Sequence, residues 1–226
     1  MIESIKPHHV RAYLDKRGES AKARANREKA LLSHIINKAR EWGYTDAPNP
    51  CQGVKGFKES GRDRYVTDVE FQAVWEKAGQ TLCDAMDLAL LTGQRPADVL
   101  KIQRGDIHDG ALWIVQNKTG AKRAIEVTGE LAALIERINA QPRERLSAWL
   151  IQDDGGQPLG TFAMCSGFDK ARKAAGVSFQ FRDLRAKAAT DTCDLAHSQK
   201  LLGHRNRKMT EQYVRSRIGE RVQPLR

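Results

Sequence analysis

The amino-acid sequence predicts a mainly α-helical protein with one small antiparallel sheet. Apolar residues recur at helical spacing through most of the chain, whereas period-two alternation is confined to "ALWIVQ" (111–116) and "KRAIEV" (122–127). Those two runs flank "NKTGA", which makes them a hairpin. Glycine and proline stand where helices start or stop, and no repeat or low-complexity tract interrupts the pattern.

Taken in order, Pro7 suits the first turn of a helix carrying Val10, Tyr13 and Leu14, which ends near Gly18. A longer helix is expected from Ala21 to Trp42, with Leu31, Ile35, Ala39 and Trp42 as its apolar stripe and Gly43 as its stop. Residues 45–64 are rich in proline, glycine and charge and have no period, so they read as a linker. The expected division is a partial helical domain over 1–60 and a second domain over 61–226. Thr67 and Glu70 are spaced as a capping box at the head of a helix in 66–79. A buried helix over 81–93 closes on Gly93, and Pro96 opens a short one, leaving Arg95 on the turn between them. Further helices are expected at 130–140, 160–175, 182–192, 194–202 and 209–217.

The 226 residues carry a net charge of +10, unevenly spread. Residues 1–64 hold 14 Lys and Arg against 8 Asp and Glu, and residues 200–226 hold 8 against 2, so the middle is close to neutral. Two basic ends around a neutral centre fit a polyanionic partner, nucleic acid first among them. Cys51, Cys83, Cys165 and Cys193 lie far apart, with no C-x-x-C pair and no clustered histidines. That argues against a zinc site and against a disulfide framework, and no metal or cofactor is expected. No signal peptide or membrane-length apolar run is present, so the chain reads as cytoplasmic and reduced.

Each candidate for chemistry has an ordinary structural explanation beside it. Arg95 could cap a helix end, and Lys118 could be an exposed turn lysine. Arg182 and Arg185, three apart near a helix start, could face solvent or an anion. His204 could cap the preceding helix, and Tyr213 could be a core or rim aromatic. Their combination points elsewhere. Phosphoryl transfer needs cations on the equatorial oxygens, an in-line nucleophile and a proton donor for the leaving oxygen. Arginine forks fit two phosphate oxygens, a hairpin lysine supplies a proton, and a tyrosine forms a phosphate ester that keeps the bond energy for reversal.

The segments "LALLTGQRPADVLKIQRGDI", "QNKTGAKRAIEV", "FRDLRAKAATD" and "LLGHRNRKMTEQYVR" resemble, in order and spacing, the catalytic domain of tyrosine site-specific recombinases of the phage integrase type, over about residues 65–217. "ANREKALLSHIINKAREWGY" followed by "NPCQGV" resembles the last part of that family's core-binding domain. The resemblance implies that Arg95 and Arg185 hold the scissile phosphate and that Lys118, with Lys122 as a weaker candidate, protonates the leaving 5′-oxygen. It implies that His204 donates a hydrogen bond to the phosphate and that Tyr213 forms a 3′-phosphotyrosyl link. It also implies double-stranded DNA as substrate, a homo-tetramer exchanging strands through a Holliday junction, monomers in isolation, accessory DNA-bending proteins, and neither metal nor nucleotide cofactor.

Two departures from the family pattern stand out. Arg182 occupies the position where the family usually has histidine, and arginine essentially cannot accept a proton. The expectation is that Arg182 stabilises phosphate and lowers the phenol pKa, while His204 or water takes the proton, so that Arg182→His leaves cleavage intact or improves it. About two helices precede the linker where the family has about four, which suggests a truncated DNA clamp. A non-catalytic DNA-binding regulator competing for recombination sites is the alternative reading. The tail "VRSRIGERVQPLR" is expected to dock on a neighbouring protomer, or else to be a frayed basic terminus.

Overall fold

The computed structural model describes residues 2–59, 61, 63–142 and 147–214. The chain divides into two compact units, Met1–Arg62 and Asp63–Arg226.

The first unit is built on α1 (Pro7–Glu41), which is helical on both sides of a kink at Ala21 (φ −156°, ψ 72°). Two helices with a break after Gly18 were expected, and the kink is that break. Glu28 clasps the two arms together, accepting from Tyr13 Oη at 2.8 Å and from Arg17 Nε at 3.1 Å. Gly18 is required by close approach: a Cβ there would lie 2.3 Å from the Phe57 ring.

The expected stripe of the second arm is not its packed face. Leu31, Ile35 and Trp42 are all more than half exposed, while Ala25 and Ile36 are buried and Leu32 packs on the core of this unit. The helix carries two adjacent apolar rows, and periodicity alone does not say which one is covered. The partner decides it. Residues 45–57, expected to be linker, pack on α1 through Cys51, Val54 and Phe57. Asn49 fixes that strap by donating to Ser33 O, Ser33 Oγ and Asn37 Oδ1 at 2.8–3.1 Å. Polar side chains thus do there what an apolar period does in a helix, and composition reads them as loop.

In the second unit, α2 (Asp68–Trp75) begins with the capping box expected of Thr67 and Glu70. The buried α3 (Gln80–Thr92) ends at Gly93, in the left-handed conformation at φ +62°, and α4 (Pro96–Val99) follows at once. Strands β1 (Ile107–His108), β2 (Ala111–Val115) and β3 (Lys122–Glu126) form an antiparallel sheet in that order, with Trp113 opposite Ala124 and Val115 opposite Lys122. Leu112, Ile114 and Ile125 turn inward to the core. Then come α5 (Gly129–Ala140), α6 (Thr161–Ala174), α7 (Asp183–Asp191), α8 (Leu195–Leu202) and α9 (Arg207–Glu211).

Helix α7 sits at the centre of this unit and is buried from Asp183 to Thr190. Its alanines admit close neighbours, and its fully buried Lys187 is matched by Asp191 at 2.9 Å and by Asp68 at the start of α2. Phe168, Phe179 and Phe181 meet edge to face beside it, with centroids 5.3 and 5.5 Å apart.

The last helix is shorter than expected. It spans Arg207–Glu211 rather than 209–217, and Tyr213 lies in the turn that follows. Asn206 explains the early start, because its side chain caps Lys208 N at 2.9 Å. The tail from Arg215 onward lies outside the described residues. Among the described residues, no helix is long and apolar enough to cross a membrane.

Candidate active site

Five segments meet around the C-terminal end of α3. Gly93 closes that helix and Pro96 fixes the first turn of α4, so Gln94 and Arg95 are held on a short rigid bridge. The end of β2 supplies Gln116 and the exposed hairpin residues 117–120. Helix α7 supplies Arg185. The turn after α8 supplies Gly203, at φ +70°, and His204, and the turn after α9 supplies Tyr213.

Gln116 joins three of these segments. Its amide nitrogen donates to Gln94 Oε1 at 2.7 Å and to Leu202 O at 3.0 Å. Its carbonyl oxygen accepts from Arg95 Nη1 at 3.3 Å and from Thr119 Oγ1 at 3.0 Å. Gln94 in turn donates to Thr92 O and Leu201 O. The buried Asp98 accepts from Asn117 N at 2.9 Å and faces Arg95 Nη1 at 3.8 Å. Arg95, the base of the Lys118 hairpin and the Gly203 turn therefore form one hydrogen-bonded frame. Lys118 projects from that hairpin into solvent.

Arg185 is 2% exposed. Its Nη1 donates to Gly93 O at 2.5 Å, and its Nη2 donates to Leu202 O at 2.7 Å and lies 3.3 Å from His204 Nε2. Its Nε is buried without a hydrogen bond to any described residue. A buried donor of this kind costs free energy until an acceptor arrives. The guanidinium lies 5.5 Å from the centroid of the Tyr213 ring, and the His204 ring lies 5.0 Å from the same ring.

Burial, and after it the positive charge of Arg95, pull the Arg185 pKa down to about 10, while Tyr213 acts in the opposite sense. Arg185 is therefore still a cation at neutral pH. Burial, then Arg185 and Arg95, push His204 down to about 4, which leaves it a neutral imidazole. Two arginine cations and a neutral histidine around a phenol make a pocket that favours a phosphate anion. Beside it, between β3 and α8, runs a groove of about 940 Å³ lined in part by Lys122, Arg123, His197, Lys200 and His204.

Of the sequence candidates, Arg95, Arg185, His204 and Tyr213 come together, with Lys118 on the adjoining hairpin. Arg182 stands apart. It is the exposed N-cap residue of α7, and its side chain forms no hydrogen bond or ion pair among the described residues. Arg182 and Arg185 do not share a solvated face, because the helix between them turns Arg185 into the core. Sequence reasoning missed Gln94, Asp98, Gln116 and Thr210. Spacing marks only Gln116, which alternates with Leu112 and Ile114 on the inward face of the hairpin; the other three look like surface polar residues, and only their burial distinguishes them.

Residues 69–219, which contain all six candidates, match the model of the phage integrase family. The integrase of Escherichia phage HK022 is 33% identical over 215 residues, which are 88% of this chain and 59% of that protein. Among solved structures, the lambda integrase dimer bound to a COC′ core site superposes with a TM-score of 0.85 at 26% identity, covering 98% of this chain and 68% of that one. The lambda integrase tetramer bound to a Holliday junction superposes with a TM-score of 0.84, also at 26% identity, covering 100% and 68%. The chain thus spans about three-fifths of the length of the curated relatives it matches. With the family pattern running from α2 past Tyr213 and the fold shared over nearly all its length, the chain belongs to the phage integrase family.

Proposed function

We propose that the protein cuts and rejoins duplex DNA at specific sites, as a phage or prophage integrase does, through a tyrosyl ester at the 3′-phosphate. The observation that carries this reading is the convergence of Arg95, Arg185, His204 and Tyr213 from segments as far apart as α4 and α9. Arg95 and Arg185 neutralise the phosphate and the charge that develops on it. Tyr213 Oη attacks phosphorus, the P–O5′ bond breaks, and Lys118 delivers the proton that the 5′-oxygen needs. The reverse sequence rejoins the strand.

Arg182, exposed at the head of α7, adds positive charge on the approach of the DNA rather than a proton acceptor. The first unit contributes a further basic surface to the DNA. The assembly is a homo-tetramer on crossed strands, built from protomers that are monomeric without DNA and helped by DNA-bending proteins, in the bacterial cytoplasm where the chromosome lies. The solved lambda integrase tetramer on a Holliday junction supports that assembly.

The test starts from a site that the protein itself selects from randomised DNA. A nicked duplex carrying that site should yield a protein–DNA adduct resistant to denaturation, absent in Tyr213→Phe and at least 100-fold reduced in Arg95→Ala and Arg185→Ala (on the order of the loss when one transition-state donor is removed). Salt-sensitive binding with no adduct would make the chain a DNA-binding regulator instead.

A further inference from the structure

His204 has a buried partner on each ring nitrogen. Arg185 Nη2 lies 3.3 Å from Nε2, and Thr210 Oγ1 lies 3.1 Å from Nδ1. Arginine has donors only, so Nε2 must be the acceptor in the first contact. A neutral imidazole carries one proton, which is then on Nδ1 and is donated to Thr210 Oγ1. Thr210 is fully buried, so water does not compete for that bond. Gln199 Nε2 fixes the turn by donating to His204 O, and Arg95 and Arg185 keep the ring neutral as long as no anion offsets their charge.

Thr210 also belongs to the nucleophile's own segment. It lies in α9, and its carbonyl accepts from Tyr213 N at 2.8 Å. One segment therefore carries both the hydroxyl that orients the histidine and the phenol, whose ring lies 5.0 Å from the His204 ring and whose hydroxyl interacts with Arg185. Arg182, the residue at the position where a proton acceptor would be sought, is solvent-exposed and permanently charged.

We propose that Thr210 is a positioning residue that holds His204 in the Nδ1–H tautomer, and that the bare Nε2 takes the proton of Tyr213 during cleavage. This rests on the strand-cleavage reading above. A phosphate that takes up the Arg185 N–H groups frees the Nε2 lone pair. The Tyr213 Oη–H proton then passes to Nε2 as the Oη–P bond forms, the P–O5′ bond breaks, and the 5′-oxygen receives its proton from Lys118. The resulting imidazolium donates Nε2–H to a phosphate oxygen and keeps Nδ1–H on Thr210. Religation returns each proton by the same path.

The tautomer is read without DNA, by two-bond ¹H–¹⁵N correlation on the full chain labelled at histidine nitrogens. Wild type and Thr210→Ser should show His204 protonated at Nδ1 and bare at Nε2, whereas Thr210→Val should show a mixture of tautomers. On the nicked duplex, Thr210→Val should form adduct about 10-fold more slowly at unchanged DNA affinity, and Thr210→Ser within about twofold of wild type. His204→Gln, which can donate an N–H but takes no proton, should lose about 100-fold or more. An Nε2-protonated His204 in wild type, a wild-type adduct rate in Thr210→Val, or a wild-type rate in His204→Gln would each overturn the proposal. Absence of any wild-type adduct strikes the cleavage reading instead, and the spectrum still decides the tautomer. If Thr210→Val does not fold, the wild-type spectrum and Thr210→Ser carry the decision.

Discussion

At the scale of single residues, the pocket is set by which side chains the core swallows. Arg185 and His204 are buried together; among the described residues neither forms an ion pair with a carboxylate, and Asp98 acts on Arg185 only as a weaker opposing charge. The histidine carries the cost in its titration. An unfolded chain's imidazole titrates near 6.5, whereas the folded one titrates at about 4. Between those values the unfolded state binds more protons, so stability contributed by the neutral ring is complete above about pH 6.5 and is lost as pH falls toward 4. Thermal melts across that window should therefore show a steeper acid-side decline for wild type than for His204→Gln. Equal slopes would show that the ring is not held neutral by its surroundings. None of this burial is visible in "LLGHRNRKMTEQYVR", where basic residues surround the histidine and suggest an exposed helix.

At the scale of elements, the helices with one apolar stripe and clear ends were legible from the sequence: α2 with its capping box, α3 closed by Gly93, and the β2–β3 hairpin. Each is fixed by local chemistry. What was not legible depends on partners distant in sequence. Periodicity gave α1 a face, but residues 45–57 choose the row one position away, held by Asn49 and Cys51. The same limit hides Gln116, which alternation places on an inward face beside Ile114 yet whose four side-chain hydrogen bonds reach Gln94, Arg95, Thr119 and Leu202. Gln116→Met keeps the volume and removes the frame. It should lower stability by about 1–3 kcal/mol, the cost of leaving buried partners unpaired, and slow adduct formation about 10-fold through misplaced Arg95 (a loss of about 1.4 kcal/mol in transition-state stabilisation). Chemical denaturation and the adduct assay together check this, and an unchanged adduct rate would show that Gln116 supports the fold alone.

At the scale of the whole molecule, the charge distribution and the pocket belong to one account. The net charge of +10 is concentrated toward both ends of the chain, and the second end is the one that carries Tyr213. In the proposed reaction, DNA drawn to the basic surfaces would present a row of phosphates, and only one would need to enter between Arg95 and Arg185. The order of the boxes along the sequence, from "TGQRPADVL" to "EQYVR", suggests that these side chains act together, while the hydrogen bonds that hold them near one another are legible only in the fold. The most direct measurement of the central claim is to digest the trapped adduct with trypsin and nuclease and find by mass spectrometry which residue carries the nucleotide. A 3′-phosphonucleotide is expected on the peptide Met209–Arg215, esterified at Tyr213. A nucleotide on any other residue, or an adduct whose linkage is not a tyrosyl ester, would contradict it.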